Sequence, residues 1–329
     1  MSQVQRSPRR ITVITTGGTI AEAPQSNPNR RHSTAADLLR RLPPLQSIEV
    51  TTVDLFDLPS TFLTFDHMMQ IAAAADAAIE SGADGIVVTH GTDTLEETAY
   101  FVDLVGRNGR PVVFTGAMLP PEVPGADGSF NLRNALLIAA SEESADRGVL
   151  VTFAAEIHAA RDVAKAHTMS LGAFKSLDFG PLGSVDEDRV SFRRNVPPSE
   201  QFPVSKVTAR VEGVKCYASM SDIQLRALTE AGIDGVVLET LGSGQVPPSL
   251  MPAIREAISA GVVIVATTRC PSGHLLRNHY GLANRVEGDE RDLQSRGVLF
   301  CDLQGPKARI KLAVGLSAGL GLKDLRRVI

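Results

Sequence analysis

Short runs of β-branched and aliphatic residues alternate along this chain with longer stretches whose apolar positions recur at helical spacing. The short runs are bounded by turn-forming residues. They predict strands at Arg10 to Thr15, Glu49 to Val53, Gly85 to His90, Pro111 to Thr115 and Gly148 to Phe153. Between them, helices are expected over the alanine-rich Phe65 to Glu80, over Leu95 to Val105, and over Phe130 to Glu142 behind the turn Gly125-Ala126-Asp127-Gly128. Strands alternating with helices imply an α/β protein with a mainly parallel sheet. The rhythm breaks between Pro181 and Val211, where Pro197-Pro198, Pro203 and a mixed-charge run occur. A larger N-terminal α/β domain over 1–190, a linker over 191–212 and a smaller C-terminal α/β domain over 213–329 are therefore expected, each with a mainly parallel sheet. In the second domain, strands are expected near Lys206 to Glu212, Asp234 to Leu238 and Gly261 to Ala266. Helices are expected near Asp222 to Ala231, Pro248 to Ala260 and Gly305 to Leu316.

Composition changes this picture little. A chain of 329 residues exceeds one ordinary core, which agrees with two domains. The net charge of −4 offers no basic face for a nucleic acid. No stretch approaches the roughly 20 uninterrupted apolar residues of a membrane span, so no membrane partner is expected. The polar, basic start and the early Gly17-Gly18 do not fit an export signal. Three cysteines without a CxxC pair support neither a disulfide framework nor a zinc site. A cytoplasmic location is expected, although a processed exported protein would have the same composition. The histidines are scattered and no HExxH occurs, so no metal and no cofactor are implied.

The candidate chemistry lies at strand ends. Thr15-Thr16-Gly17-Gly18-Thr19 ends the first apolar run, and Thr89-His90-Gly91-Thr92-Asp93-Thr94 ends a later one. In open parallel sheets, ligands sit outside such tips. The glycines permit sharp turns and close approach, which leaves Thr19 free to expose its hydroxyl. Each tip also has an ordinary reading: Thr19 as a helix cap, Asp93 or Thr94 capping the helix that begins at Leu95, His90 as a core histidine. Lys165, in Arg161-Asp162-Val163-Ala164-Lys165, is either a solvated charge or a partly buried base beside Thr92. A hydroxyl nucleophile needs such a neighbour to activate it. Ser60, after Leu58-Pro59, is either a turn residue or a carboxylate ligand. Gly116-Ala117-Met118 forms a third tip on the same sheet edge.

Together these motifs resemble the bacterial L-asparaginase/glutaminase family. The resemblance rests on Thr-Gly-Gly-Thr-Ile-Ala at 16–21, His-Gly-Thr-Asp-Thr-Leu-Glu-Glu-Thr-Ala-Tyr-Phe at 90–101 and Pro-Val-Val-Phe-Thr-Gly-Ala-Met at 111–118. It continues with Ala-Asp-Gly-Ser-Phe-Asn-Leu at 126–132, Arg-Gly-Val-Leu-Val at 147–151, Arg-Asp-Val-Ala-Lys at 161–165 and Phe-Lys-Ser at 174–176. The resemblance implies Thr19 as nucleophile and Thr92, Lys165 and Asp93 as a second triad. It further implies Ser60 and Asp93 as ligands of the substrate's carboxylate and amino groups, and the Ala117 carbonyl as receiver of the amide nitrogen. Backbone amides near Gly18 and Thr92 would form the oxyanion hole. It also implies hydrolysis of L-asparagine through an acyl-enzyme, no cofactor, and a homodimer or homotetramer with shared active sites.

Three departures stand out. The segment from Glu22 to Ser33 lacks the tyrosine that the family carries after its nucleophile. Thr61 stands where periplasmic-type members have glutamine. Tyr280 aligns where a neighbouring subunit offers glutamate to the substrate amine. Tyr280 of the partner subunit is therefore either a replacement for the missing tyrosine or an interface aromatic. The alternatives to asparagine hydrolysis are an amidase acting on L-glutamine or another small carboxamide, and a catalytically weak amino-acid-binding protein.

Overall fold

The computed structural model describes residues 7–22, 33–106, 109–197, 199–276 and 297–329. The chain divides into two compact units, Met1–Gln201 and Phe202–Ile329. The first is built on an eight-stranded sheet. Its parallel part contains β1 (Arg9–Thr15), β2 (Ile48–Asp54), β3 (Gly85–Thr89), β4 (Val112–Thr115) and β5 (Val149–Phe153). The antiparallel strands β6 (Glu156–Ala159), β9 (Gly183–Asp186) and β10 (Arg189–Phe192) extend one edge, and β7 (Ala164–Lys165) pairs with β8 (Phe174–Lys175) in a separate hairpin. The strand order is β10-β9-β6-β5-β4-β3-β1-β2.

Every residue of β3, β4 and β5 is buried. That burial explains why their sequences are continuous apolar runs rather than alternating ones. Alternate positions still serve different faces. Ile11, Val13, Val87, Val113 and Leu150 pack with Leu132, Ala135, Leu136 and Ile138 of α4 (Gly128–Ala140) in one core. The helices α2 (Phe65–Glu80) and α3 (Leu95–Val105) pack together and against β1, β3, β4 and β5. The short helix α1 (Ala35–Leu39) was not expected, yet its start is written as a capping box: the Thr34 hydroxyl accepts from Asp37 N, and the Asp37 carboxylate accepts from Thr34 N.

The second unit carries an all-parallel sheet, β11 (Val211–Lys215), β12 (Gly235–Thr240), β13 (Val263–Thr268) and β14 (Leu299–Phe300). Helices α5 (Ile223–Glu230) and α6 (Met251–Ser259) supply Leu225, Ile254 and Ala257 to a core with Val214, Val236, Leu238 and Ile264. Helix α7 (Gly305–Ser317) packs on the same strands, and α8 (Leu322–Val328) closes the chain.

Two expectations are corrected. The strand expected over Lys206 to Glu212 lies at Val211–Lys215 instead. Thr208 N and Ala209 N donate to Ser317 Oγ at 2.9 and 3.0 Å, so that part of the backbone does not enter the ladder. The pattern also missed β6, β9 and β10, whose four residues each include charged or polar ones, unlike the continuous apolar run of the equally short β4. Among the described residues, no helix is long and apolar enough to cross a membrane.

Candidate active site

The tips of β1 and β3 meet through their glycines. Gly18 has φ 81° and ψ 175°, a conformation essentially reserved for glycine. A Cβ there would lie 2.5 Å from Gly91 Cα. The two loops therefore touch backbone to backbone, and no side chain fits between them. Gly91 in turn faces Ser60, whose Cβ and Oγ would each be 2.8 Å from a Cβ at 91. Three segments far apart in sequence thus converge on one small volume. Gly18→Ala is expected to cost at least about 2 kcal/mol of stability, from the unfavourable backbone conformation plus the clash with Gly91. Denaturant unfolding of that variant measures the loss; a stability equal to wild type would show that the loops can part.

Thr19 opens a 3-10 turn over Thr19–Ala21, held by Ala21 N donating to Gly18 O and Glu22 N to Thr19 O. Thr19 is half-buried, and its hydroxyl bonds no described residue. It does not cap a helix by its side chain. Thr94 does occupy the N-cap position of α3, but its hydroxyl donates to Ser60 O at 2.8 Å rather than accepting from the helix. The expected capping role is thus given up for a bond that ties the β3 tip to the Ser60 turn. Ser60 is buried, while Thr61 in the same turn is exposed.

Lys165, on β7, reaches the β3 tip. Its Nζ donates to Thr92 Oγ1 at 2.9 Å and to Asp93 Oδ1 at 2.7 Å. The lysine side chain is 18% exposed, against 63% for Asp93. The lysine side chain is therefore held against Thr92 and Asp93 rather than extended into solvent. Its backbone is anchored as well, because Lys165 N donates to Glu96 Oε2 at 2.6 Å. Glu96 sits in the first turn of α3, so the helix that follows Thr92 and Asp93 also fixes the lysine that meets them. Sequence reasoning missed this role; the only signal was an acidic residue at a helix start, which the helix dipole explains equally well.

His90 is a core histidine. It is fully buried, its ring lies 6.1 Å from that of Phe114, and Nδ1 donates to Gly91 O at 2.7 Å. Burial lowers its pKa from 6.5 to about 4, against the smaller opposing effect of the Gly91 hydrogen bond. The unfolded chain therefore binds a proton below pH ~6.5 that the folded protein refuses until about pH 4. Stability should fall as the pH drops through that window, by on the order of 3 kcal/mol in total. Thermal melts of wild type and His90→Asn between those limits should show a shallower acid slope in the variant.

Ala117, on the loop after β4, is buried, and its carbonyl accepts no hydrogen bond from the described residues. A cavity of about 190 Å³ lies against Ile20, Ala117 and Gly128, but none of Thr19, Thr92, Asp93 or Lys165 lines it. Tyr280 and residues 23–32 lie outside the described residues. Among the described residues, no group of three or more His, Cys, Asp or Glu side chains is placed to hold a metal.

Fold and site define a two-domain α/β protein with paired threonine tips and a lysine seated on one of them. Comparisons with known proteins give that class a family. The model described as Asparaginase, N-terminal matches residues 10–198, and that of the Glutaminase/Asparaginase C-terminal domain matches residues 210–329. The L-asparaginase of Bacillus licheniformis is 36% identical over 323 residues, covering 96% of this chain and 98% of that protein. A glutaminase-asparaginase of Pseudomonas aeruginosa is 34% identical over 338 residues, covering 98% and 91%. The crystal structure of a probable cytoplasmic L-asparaginase from Campylobacter jejuni matches with a TM-score of 0.85 at 29% identity, covering 97% of this chain and 98% of that one. The chain belongs to the asparaginase/glutaminase family.

Proposed function

We propose that this protein is an amidohydrolase that converts L-asparagine and water to L-aspartate and ammonia through a threonine acyl-enzyme. The observation that carries the reading is the contact of Lys165 Nζ with both Thr92 Oγ1 and Asp93 Oδ1. A lysine on a threonine hydroxyl is a means of moving protons without histidine, and the histidine at this tip is buried and neutral. Family membership and the names of the relatives support the substrate class.

Thr19 Oγ attacks the side-chain carbonyl carbon. The hydroxyl proton passes to the departing nitrogen, the C–N bond breaks, and ammonia leaves an ester on Thr19. Water then attacks the ester, returns a proton to Thr19 Oγ, and releases aspartate. Thr92 and Lys165, oriented by Asp93, relay protons in these steps. Ser60 and Asp93 bind the substrate's carboxylate and amino group, with exposed Thr61 at the rim. Backbone amides near Gly18 and Thr92 stabilise the oxyanion, an effect of a few kcal/mol in comparable sites. The Ala117 carbonyl receives the amide nitrogen. The protein acts as a cytoplasmic homodimer or homotetramer with shared active sites.

Ammonia release from L-asparagine and L-glutamine by the purified protein tests the reading. Release from asparagine is the expected result. Release from glutamine at a similar rate favours the dual specificity named in the Pseudomonas aeruginosa relative. Binding of aspartate without any release would overturn the enzyme reading in favour of a binder.

A further inference from the structure

We propose that the buried pair Asp127 and Asn131 positions the Ala117 carbonyl so that the site selects amides over esters. This rests on the reading of the site as an amidohydrolase. Asp127 stands at the N-cap position of α4, yet its side chain makes no cap hydrogen bond with that helix. An aspartate there ordinarily accepts from the second or third helical amide. Instead, both its carboxylate oxygens accept from Met118 N at 3.0 Å, and Oδ1 also accepts from Leu119 N at 3.0 Å.

One turn further along α4, Asn131 Nδ2 donates to Gly116 O at 3.1 Å and to Asp127 Oδ2 at 2.8 Å. Its Oδ1 accepts from Ala154 N at 3.2 Å. The two side chains are 6% and 1% exposed, so this network is desolvated and any bond left unmade there is costly. It grips the loop after β4 on both sides of Ala117, by the Gly116 carbonyl before it and by two amides after it. The Ala117 carbonyl is left without a donor among the described residues. The loop also lies against the β3 tip: a Cβ on Gly116 would come 2.5 Å from His90 O and 3.5 Å from Thr92 Cγ2. A rigid acceptor is thereby held one residue from the glycine that packs against Thr92.

Chemistry then sets the preference. A carboxamide nitrogen has hydrogens to donate to a carbonyl, and more once it is protonated to leave. An ester oxygen in the same place has none and presents lone pairs to the acceptor. A site that hydrogen-bonds the N–H group discriminates strongly against an analogue lacking it. Loosening Asp127 or Asn131 should therefore penalise the amide and leave the ester little changed, whereas general damage to the fold would lower both.

The experiment compares kcat/KM for L-asparagine and for the β-methyl ester of L-aspartate in wild type, Asn131→Ala and Asp127→Asn. Both substrates form the same acyl-enzyme, so the ratio reports the acylation step alone. The amide value should fall by roughly 10–100-fold, as expected for a displaced catalytic contact, so that the amide-to-ester ratio drops by about that factor. Equal losses on both substrates, or an unchanged ratio, would overturn the inference while leaving the asparaginase reading intact. A wild-type protein that hydrolyses neither substrate overturns both. If Asn131→Ala fails to fold, the near-isosteric Asp127→Asn supplies the same ratio.

Discussion

Thr19→Ala should leave a folded protein with no measurable release of ammonia from L-asparagine. Removing the nucleophile of a covalent mechanism costs on the order of 10⁴-fold or more in kcat. The fold should tolerate the change. The 3-10 turn is held by backbone bonds of Gly18 O and Thr19 O, and the hydroxyl itself supports no described group. A stability change within about 1 kcal/mol is expected for such a side chain. Ammonia assays and thermal melts on one preparation separate the two effects. Retained activity in a well-folded Thr19→Ala protein would move the nucleophile elsewhere, with Thr92 the next hydroxyl to test.

The second large effect belongs to Lys165. Lys165→Met keeps most of the aliphatic stem and removes the ammonium that touches Thr92 Oγ1 and Asp93 Oδ1. A positioned proton-transfer group contributes about 10²–10⁴-fold, so kcat should drop by about a thousandfold. Stability should change little, because Asp93 is 63% exposed and water can solvate its freed carboxylate. A double variant with Thr92→Val gives a sharper test. If lysine acts through the threonine, the second substitution adds almost nothing to the first, since residues working as a unit are strongly non-additive. Multiplying losses would show two separate contributions and would break the proposed relay.

The positions of the candidate site differ in how far the chain alone reveals them. The two threonine tips follow directly from the pattern: β-branched runs end at Thr15 and Thr89, and both prove to be fully paired parallel strands. Lys165 has no such signal. It sits on a two-residue strand, and the residues around it leave a solvated charge and a buried base equally open. Glu96, Asp127 and Asn131 carry no local signal of the bonds they make. Their side chains bond backbone groups brought close by the packing of α3 and α4 on the sheet, and local sequence does not encode such partners.

Local chemistry therefore determined the alternation of strands and helices, the two-domain plan and the glycine-hinged tips. Each of these depends on residues within one turn or one strand of each other, where sterics and apolar periodicity act directly. Only the tertiary structure decided which tips touch and what each polar group bonds. Gly18 meets Gly91 across a gap too narrow for a Cβ, Thr94 turns from its helix to Ser60 O, and Asp127 leaves its cap to grip the Ala117 loop. The reason is that a buried polar group takes whichever partner the packed chain delivers. That delivery depends on contacts between distant segments, which no local pattern contains.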